Sequence, residues 1–526
     1  MERNYAFASA LETGPATLAE ALEGPNAKDW QKAWDDELAQ LQARKTWIVV
    51  DRPKDKPVIP CRVILREKPR PNGEVLKRKA RLVAGGHKQE KGINYDETFA
   101  AVARIASIRV VLALAAARDW EVDHVDIVGA YLNCELEEEV YMQAPPGVLG
   151  PKDEGKVCKL LRALYGLKQA GRAWWKKMTA EFVDMGFTPS VSDPSLFCRF
   201  TDAGDIIVPV STDDMTITGS SRAAVDAFKA ELAERFEIVD MGPLHWLLGF
   251  EVKRNRAART LSISQRGYIE AMAKRFGQET AKPVYTPMNP GDVFDKTQCP
   301  EEPIDVPYQQ AVGHALWPAV VSRPDMQYAV GILARFMQNP ATSHWEAVKR
   351  LIRYAYTTRD LGLTLGGKEI KLEGYVDADW ASQPDRHSIS GHVFSVTGGA
   401  TVWSSKRQTI IAKSTAEAEY VAGAGAEGEV RWMRTLLKEM RVEQDEATTL
   451  NCDNQSAIAI CKSEGFHART KHMDIRYHSL RESFENGTIN PVYVPSDDNP
   501  ADVFTKALAR PKFERFREAL GIRAFD

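Results

Sequence analysis

The chain is short of cysteine, and what it has is dispersed. Seven thiols, at positions 61, 134, 158, 198, 299, 452 and 461, include no C-x-x-C pair. That excludes a disulfide framework and the usual zinc spacings, and predicts reduced thiols, no zinc site and a cytosolic or nuclear setting. Long apolar runs are missing too. Nothing approaches the roughly 20 residues that span a bilayer, and the apolar core within Met1–Gly14 is too short for a secretory signal; no membrane partner is expected. A basic excess is also absent, since the net charge is −3. The charge is unevenly spread, however. Arg62 to Lys91 carries ten Lys or Arg against three Glu, which reads either as a solvated basic face or as a phosphate-binding one. What is present, 44% hydrophobic and 27% charged residues over 526 positions, is the composition of a globular protein of several domains.

One stretch organises the rest. Asp205 to Gly219, D-I-I-V-P-V-S-T-D-D-M-T-I-T-G, reads as strand, tight turn and strand, with Asp213 and Asp214 at the tip. Adjacent carboxylates repel and raise each other's pKa. A divalent cation removes the conflict, and Mg²⁺ suits oxygen ligands and substrate phosphates; taken alone, a solvated Asp-Asp turn is the better account of the pair, since Asp is a common turn residue. Upstream, Asp126 lies in the apolar run V-D-H-V-D-I-V-G-A-Y-L-N, Val122 to Asn133. A buried, unpaired Asp costs several kcal/mol and needs a partner. Metal ions shared among Asp126, Asp213 and Asp214 supply one, and two metals held by carboxylates suit nucleotidyl transfer.

These residues, Tyr131 with them, resemble the palm of a reverse transcriptase. The surrounding blocks resemble the polymerase region of copia-type retrotransposon Pol polyproteins: K-A-R-L-V-A-G-G-H-K-Q-E-K-G-I-N-Y-D-E-T-F-A-A-V (Lys79 to Val102), L-Y-G-L-K-Q-A-G-R-A-W (Leu164 to Trp174), S-D-P-S-L-F (Ser192 to Phe197), L-L-G-F-E-V (Leu247 to Val252), S-R-P-D-M-Q-Y-A-V (Ser322 to Val330), D-A-D-W-A (Asp377 to Ala381), K-S-T-A-E-A-E-Y (Lys413 to Tyr420) and N-P-A-D-V-F-T-K (Asn499 to Lys506). They fall in family order from about Trp30 to Leu508. The resemblance implies an α/β (α+β) fold: a right-hand polymerase of fingers, palm and thumb, a connection layer and a ribonuclease H-like domain. The expected boundaries are 1–28 for a poorly ordered lead, 29–240 for fingers and palm, 241–369 for thumb and connection, 370–510 for the ribonuclease H-like domain and 511–526 for a C-terminal tail.

Within that frame, Lys79 and Arg81 alternate to one side of a fingers strand that follows a Pro69–Glu74 hairpin turn, and can reach an incoming triphosphate. The guanidinium is the better bidentate partner; ordinary surface charge is the alternative. The resemblance makes Tyr131 the residue beneath the sugar that excludes a 2′-hydroxyl, with packing as the alternative. Asp126 and Tyr131 face one nucleotide only if the chain bends, and Gly129 allows a bend. Gln169 is carried over as a nucleotide or template contact, Lys168 and Arg172 as phosphate contacts. Helices are expected over Lys28–Lys45, Ala106–Arg118, Ser221–Phe236, Ser264–Phe276, Tyr308–Met337 and His344–Thr358, with a linker over 277–304.

From about Ile370 the pattern turns to strands, then a helix, then strand and helix. Asp377, Glu419, Asp453 and Asp502 there resemble ribonuclease H acids, and two Mg²⁺ held by them are expected to orient a water for attack on a phosphodiester. Asp377 is preferred over Asp379, and Glu419 over Glu417, by matching D-x-D-W and A-E-Y; helical positions two apart point about 200° apart. The K-H-M-D-I-R-Y-H run, Lys471 to His478, suits substrate-backbone contact or packing rather than metal binding. Some positions depart from the family: Ser211 and Thr212 stand where Tyr and Val are usual, Pro209 lies in a strand, Gly171 replaces Pro, and Val128 replaces Lys. Zinc-knuckle, His-His-Cys-Cys and D-[ST]-G patterns are absent, as expected of the polymerase end of a larger polyprotein. The expected activity is RNA-directed DNA polymerase with ribonuclease H, using two Mg²⁺ per site or Mn²⁺ in their place. The expected partners are RNA template, DNA primer and product, RNA–DNA hybrid and dNTPs, with a homodimer or the element's integrase as protein partners. Its expected place is the cytoplasm, within a virus-like particle where the element is intact, or the nucleus. A second reading is a decayed or co-opted remnant that binds nucleic acid without turnover.

Overall fold

The computed structural model describes residues 15, 17–69, 75–367, 369–382, 384–462 and 479–525. The expected Pro69–Glu74 turn falls mostly, and the Lys471–His478 run wholly, outside them, as does most of the first half of the lead. The rest of the lead is helical, against expectation. Thr17 and Glu20 form a capping box at the start of Leu18–Glu23, which buries Leu18 and Ala21. Ala27–Ala43 follows, with Trp30, Trp34 and Leu41 on its buried face.

The central sheet has six strands in the order Ile238–Pro243, Glu121–Ile127, Asp214–Gly219, Gly204–Ser211, Leu196–Thr201 and Thr188–Pro189. Apolar residues of Glu121–Ile127 and Asp214–Gly219 are buried, so the three middle strands run through the core. Pro209 pairs with Leu196 in this sheet. On its other side the ladder joins Ile206, Ile207, Val210 and Ser211 to the Asp214 strand and omits 208 and 209. A residue without an N–H is thus tolerated in a central strand by a gap in the ladder. A long ribbon, Cys61–Pro69 with Val75–Ala84, and a four-stranded sheet of Trp47–Val50, Val157–Arg162, Glu135–Gln143 and Val58–Ile59 stand beside it.

Two five-stranded sheets complete the molecule. One orders Trp246–Leu247, Phe250–Asn255, Thr260–Ser264, Leu361–Gly366 and Ile522–Ala524. The 511–526 stretch is therefore more than a tail: it finishes the Arg510–Ala519 helix and adds the edge strand to this sheet. The Tyr308–Met337 helix expected from periodicity is broken. Tyr308–Val321 ends before Pro324, whose ring cannot continue a helix, and a short helix resumes at Gln327–Leu333. Between them Arg323 is buried in a bidentate pair with Asp325, at 2.7 and 2.9 Å. The other sheet orders Ala400–Arg407, Ile389–Ser395, Glu373–Asp379, Thr448–Cys452 and Ile489–Tyr493. Its first three strands are antiparallel and its last two pairings parallel. The Thr415–Glu439 helix, 25 residues long, packs on it.

The central sheet and this last one share a core through the Ile105–Ala117 helix, which has ten buried residues of thirteen. Arg109 on that helix is buried among carbonyls. Its guanidinium donates to Thr401 O at 2.7 Å and to Val320 O and Val321 O at 2.6 and 3.0 Å, and it stacks 3.7 Å from the Trp403 ring. Burial lowers its pKa to about 9. From the other side Glu439 accepts from Ser190 Oγ at 2.5 Å and from Val191 N at 2.9 Å.

Candidate active sites

The first site is built by strand register. Asp214 sits opposite Asp126, and Ser211 opposite Asp214. The turn residues are therefore Thr212 and Asp213, while Asp214 opens the returning strand; the two acids do not share the tip. Thr212 takes φ +62°, a left-handed conformation that a β-branched residue adopts only under strain. The Trp174 indole holds it there by donating to Thr212 O at 2.7 Å. Ile127 N donates to Asp213 O at 2.9 Å, fastening the turn to the Asp126 strand.

Each acid then has its own surroundings. His124 Nε2 lies 3.0 Å from Asp214 Oδ1. The Tyr165 hydroxyl donates to Asp213 Oδ2 at 3.2 Å. Burial, with Asp213 and Asp214 nearby, raises the Asp126 carboxyl to about 6. Burial and then Asp214 also raise Asp213. Clustered carboxylates under this repulsion form a site short of positive charge, and their oxygen-only donor set suits a hard divalent cation.

Gly129 adopts φ +60° and starts the short helix Ala130–Asn133. That bend carries Tyr131 round to meet Tyr165 edge to face, 4.6 Å between ring centres. Arg81 stacks on the other side of the site, 3.8 Å from the Tyr165 ring. Lys79, two residues back on the same strand face, is close enough to oppose the rise in the Asp126 pKa. Tyr165 is delivered by Gly166, at φ +92°, where an added Cβ would come within 2.2 Å of Ala84 O. Lys168, Gln169 and Arg172 are placed differently. Gln169 is buried and bonds Asn94 O at 2.9 Å and Gln89 Nε2 at 3.0 Å. Lys168 Nζ donates to Gln89 O and the Tyr95 hydroxyl. Arg172 donates to Phe99 O and pairs with Glu97. All three hold the Gln89–Phe99 loop.

The second site gathers acids from four elements. Asp377 comes from strand Glu373–Asp379, Glu419 from the long helix, Asp453 from the end of strand Thr448–Cys452, and Asp502 from the short 3₁₀ helix Pro500–Phe504. The last α-helix begins beyond it, at Arg510. Asp377, Asp453 and Asp502 offer oxygens all within 4.8 Å of one another. Glu419, Cys452 and Asp453 form a second such group. Glu417, the alternative, accepts from Lys413 N at 2.8 Å and belongs to neither group. Asp379 lies outside both groups, raised to about 6 by burial.

Electrostatics again show acids in excess. Burial raises Asp377 to about 7, with Asp502 and Asp453 adding to it. Glu419 rises well above its ordinary value by burial and by Asp377 and Asp453, and its Oε2 is buried with no hydrogen-bond partner among the described residues. An orphaned carboxylate oxygen beside converging acids fits a divalent cation. Lys506 partly offsets the charge, 2.7 Å from Asp502 and 3.7 Å from Asp377, and Lys512 lies 2.9 Å from Asp502. Thr505 Oγ1 donates to Asp377.

Several of these residues went unread in the sequence. His124 lies two positions before Asp126, hence on the same strand face, and that periodicity is a usable signal. Lys506 is four residues after Asp502. Tyr165 carries no local signal within Leu164–Trp174, because its role depends on Gly166 packing against Ala84 of the fingers ribbon.

Comparisons with known proteins bear on the family of the chain. A reverse transcriptase (RNA-dependent DNA polymerase) family model matches residues 44–290. The chain is 39% identical over 518 residues, 97% of its length, to the retrovirus-related Pol polyprotein from transposon TNT 1-94 of Nicotiana tabacum, covering 39% of that protein. It is 31% identical over 303 residues to a putative transposon Ty5-1 protein of Saccharomyces cerevisiae, covering 57% of this chain and 98% of that one. It thus spans little more than a third of the longest-matching Pol relatives and nearly all of the shorter one. Among solved structures, a foamy viral protease-reverse transcriptase in complex with double-stranded DNA aligns with a TM-score of 0.46 at 10% identity, over 88% of this chain and 69% of that one.

Proposed function

The chain belongs to the copia-type retrotransposon Pol polyproteins, and from that premise we propose that it is an RNA-directed DNA polymerase carrying its own ribonuclease H. One observation supports the polymerase most directly: the register that sets Asp214 against Asp126, with Asp213 in the adjoining turn. In this reading Asp126, Asp213 and Asp214 hold Mg²⁺. Bound there, it supplies the charge that activates a primer 3′-hydroxyl and neutralises the departing pyrophosphate. The chain's own residues do the rest. His124 orients Asp214 and Tyr165 orients Asp213. Arg81 and Lys79 meet the triphosphate of a dNTP, and the edge-packed Tyr131 lies beneath its sugar.

The nuclease reading rests on four acids from four elements converging below the surface. Asp377, Asp453, Asp502 and Glu419 would hold a divalent cation, which would supply the charge to activate a water and to stabilise the 3′-oxygen leaving group. Thr505 fixes Asp377, and Lys506 neutralises part of the charge. The substrates are an RNA template, a DNA primer and the resulting hybrid; the place of action is the cytoplasm or a particle within it.

The test is Mg²⁺-dependent extension of a DNA primer on an RNA template, beside cleavage of labelled RNA in a hybrid. Asp213→Asn is expected to abolish extension and spare cleavage, and Asp453→Asn the reverse. The strained Thr212 and its neighbour Ser211 favour a second reading, a nucleic-acid-binding remnant. Hybrid binding by folded protein, with neither reaction in Mg²⁺ or Mn²⁺, would establish it instead.

A further inference from the structure

The second site contains a sulfur that the two-metal reading does not use. Cys452 Sγ, Glu419 and Asp453 place their ligand atoms within 4.8 Å of one another. Around a tetrahedral zinc ion, with Zn–S at about 2.3 Å and Zn–O at about 2.1 Å, ligand atoms stand about 3.5 Å apart, so this trio shares a cation after closing by about 1 Å. Three independent features make it more than an acidic cluster with a nearby thiol. Glu419 is 5% exposed and its Oε2 has no hydrogen-bond partner among the described residues. Asn454 N points at Cys452 Sγ from 3.4 Å, a backbone donor suited to a sulfur that gains negative charge. Behind Glu419 and Cys452 lies a cavity of about 20 Å³, room for about one water-sized occupant, so the sulfur is not wedged by its packing.

Asp453 gives this trio its consequence. It also belongs to the all-oxygen group with Asp377 and Asp502. A hard cation takes the oxygen group and leaves the thiol alone. A softer one takes the thiolate and draws on Asp453 from the other side. We propose that Cys452, Glu419 and Asp453 form a facultative site for soft or borderline divalent cations, Cd²⁺ or Zn²⁺, whose occupancy competes with Mg²⁺ for Asp453 and shuts the second site selectively. On binding, the Sγ–H bond breaks, the proton leaves to solvent and a metal–sulfur bond forms; no oxidant or reductant is needed. The first site holds no comparable sulfur among its described residues, so it is spared.

The competition rests on the nuclease reading, but the binding does not. The experiment uses the full chain with Cys61 and Cys299, the partly exposed thiols, changed to Ser. Cd²⁺ is added to metal-free protein while the ultraviolet cadmium–thiolate charge-transfer band is followed. One strong equivalent is expected, lost in Cys452→Ala and in Cys452→Ser and weakened in Glu419→Gln. Hybrid cleavage and primer extension are then titrated with Cd²⁺ at fixed Mg²⁺, each variant against its own Mg²⁺-supported rate. Cleavage is expected to fail at lower Cd²⁺ than extension, and Cys452→Ala to raise the inhibitory concentration by about 10–100-fold. The same band in wild type and both Cys452 variants overturns the site. Equal inhibition of cleavage in wild type and Cys452→Ala overturns the competition. A protein with no cleavage activity still gives the spectroscopic answer, so failure of the nuclease reading is told apart from failure of this one.

Discussion

The two acid clusters differ in how far the bare protein completes them. At the first, two acids come from one hairpin and the third from its neighbour, all partly exposed, and among the described residues they form no group as tight as those of the second. At the second, four elements converge, Asp377 and Asp502 are at most 1% exposed, and lysines stand in for cations. A hairpin tip fixes backbone register but leaves its carboxylates to be drawn together by what binds. A site walled by strands, a long helix and a 3₁₀ turn has its ligands set by packing before anything arrives. The first arrangement suits a reaction whose metals travel with a triphosphate, the second one whose metals meet a polymer already in place.

The sharpest way to break this comparison is to exchange acids for amides. Asp214→Asn is expected to lower extension by on the order of 10³-fold, the loss of several kcal/mol of charge stabilisation, with cleavage unchanged. Asp377→Asn should do the converse. Loss of both activities in either variant would mean the sites are not separate. Next is the tie between them. Arg109→Met strands the carbonyls of Val320, Val321 and Thr401 and is expected to cost about 3 kcal/mol of stability. Denaturant unfolding followed by probes near each site is expected to show one transition in the native protein and two in this variant. His124→Ala, which removes the partner of Asp214, should weaken Mg²⁺ at the first site by about 10–100-fold and raise the Mg²⁺ needed for extension but not for cleavage.

The mildest test is pH. Asp126 and Asp379 at about 6 and Asp377 at about 7 all lie above their ordinary 3.8. The folded, metal-free protein therefore binds more protons than the unfolded chain between these values. Stability that is full at low pH is then lost as pH rises through about 6 to 7. Thermal unfolding in chelator should show that decline, and Mg²⁺ should reverse it more at pH about 8 than at about 5. A metal-free protein that gains stability over this range would refute the picture of repelling acids.

Much of this was readable in the chain because the signals are local. Asp126 in an apolar run and Gly129 before Tyr131 speak within a dozen residues. The Tyr308–Met337 pattern misled because apolar periodicity carries across Ser322–Arg323–Pro324, where the buried Arg323–Asp325 pair uses the break. Glu417 and Glu419 were separable by helix geometry and a family pattern together. The uses of Lys168, Gln169 and Arg172 were not readable: they bond a loop some eighty residues upstream, and nothing adjacent in sequence announces it. Arg109 was invisible for the same reason, since its carbonyls lie over two hundred residues away.

That last distance sets a clock. Thr401 is 292 positions downstream of Arg109. At a synthesis rate of about 5–20 residues per second, the helix waits some 15–60 s on the ribosome before its last partner emerges. Through that interval a thirteen-residue apolar cylinder has its guanidinium still in water and one flank uncovered. Chaperone demand should therefore peak late in translation, and chains released before Thr401 should aggregate even though every acid of the first site has been made.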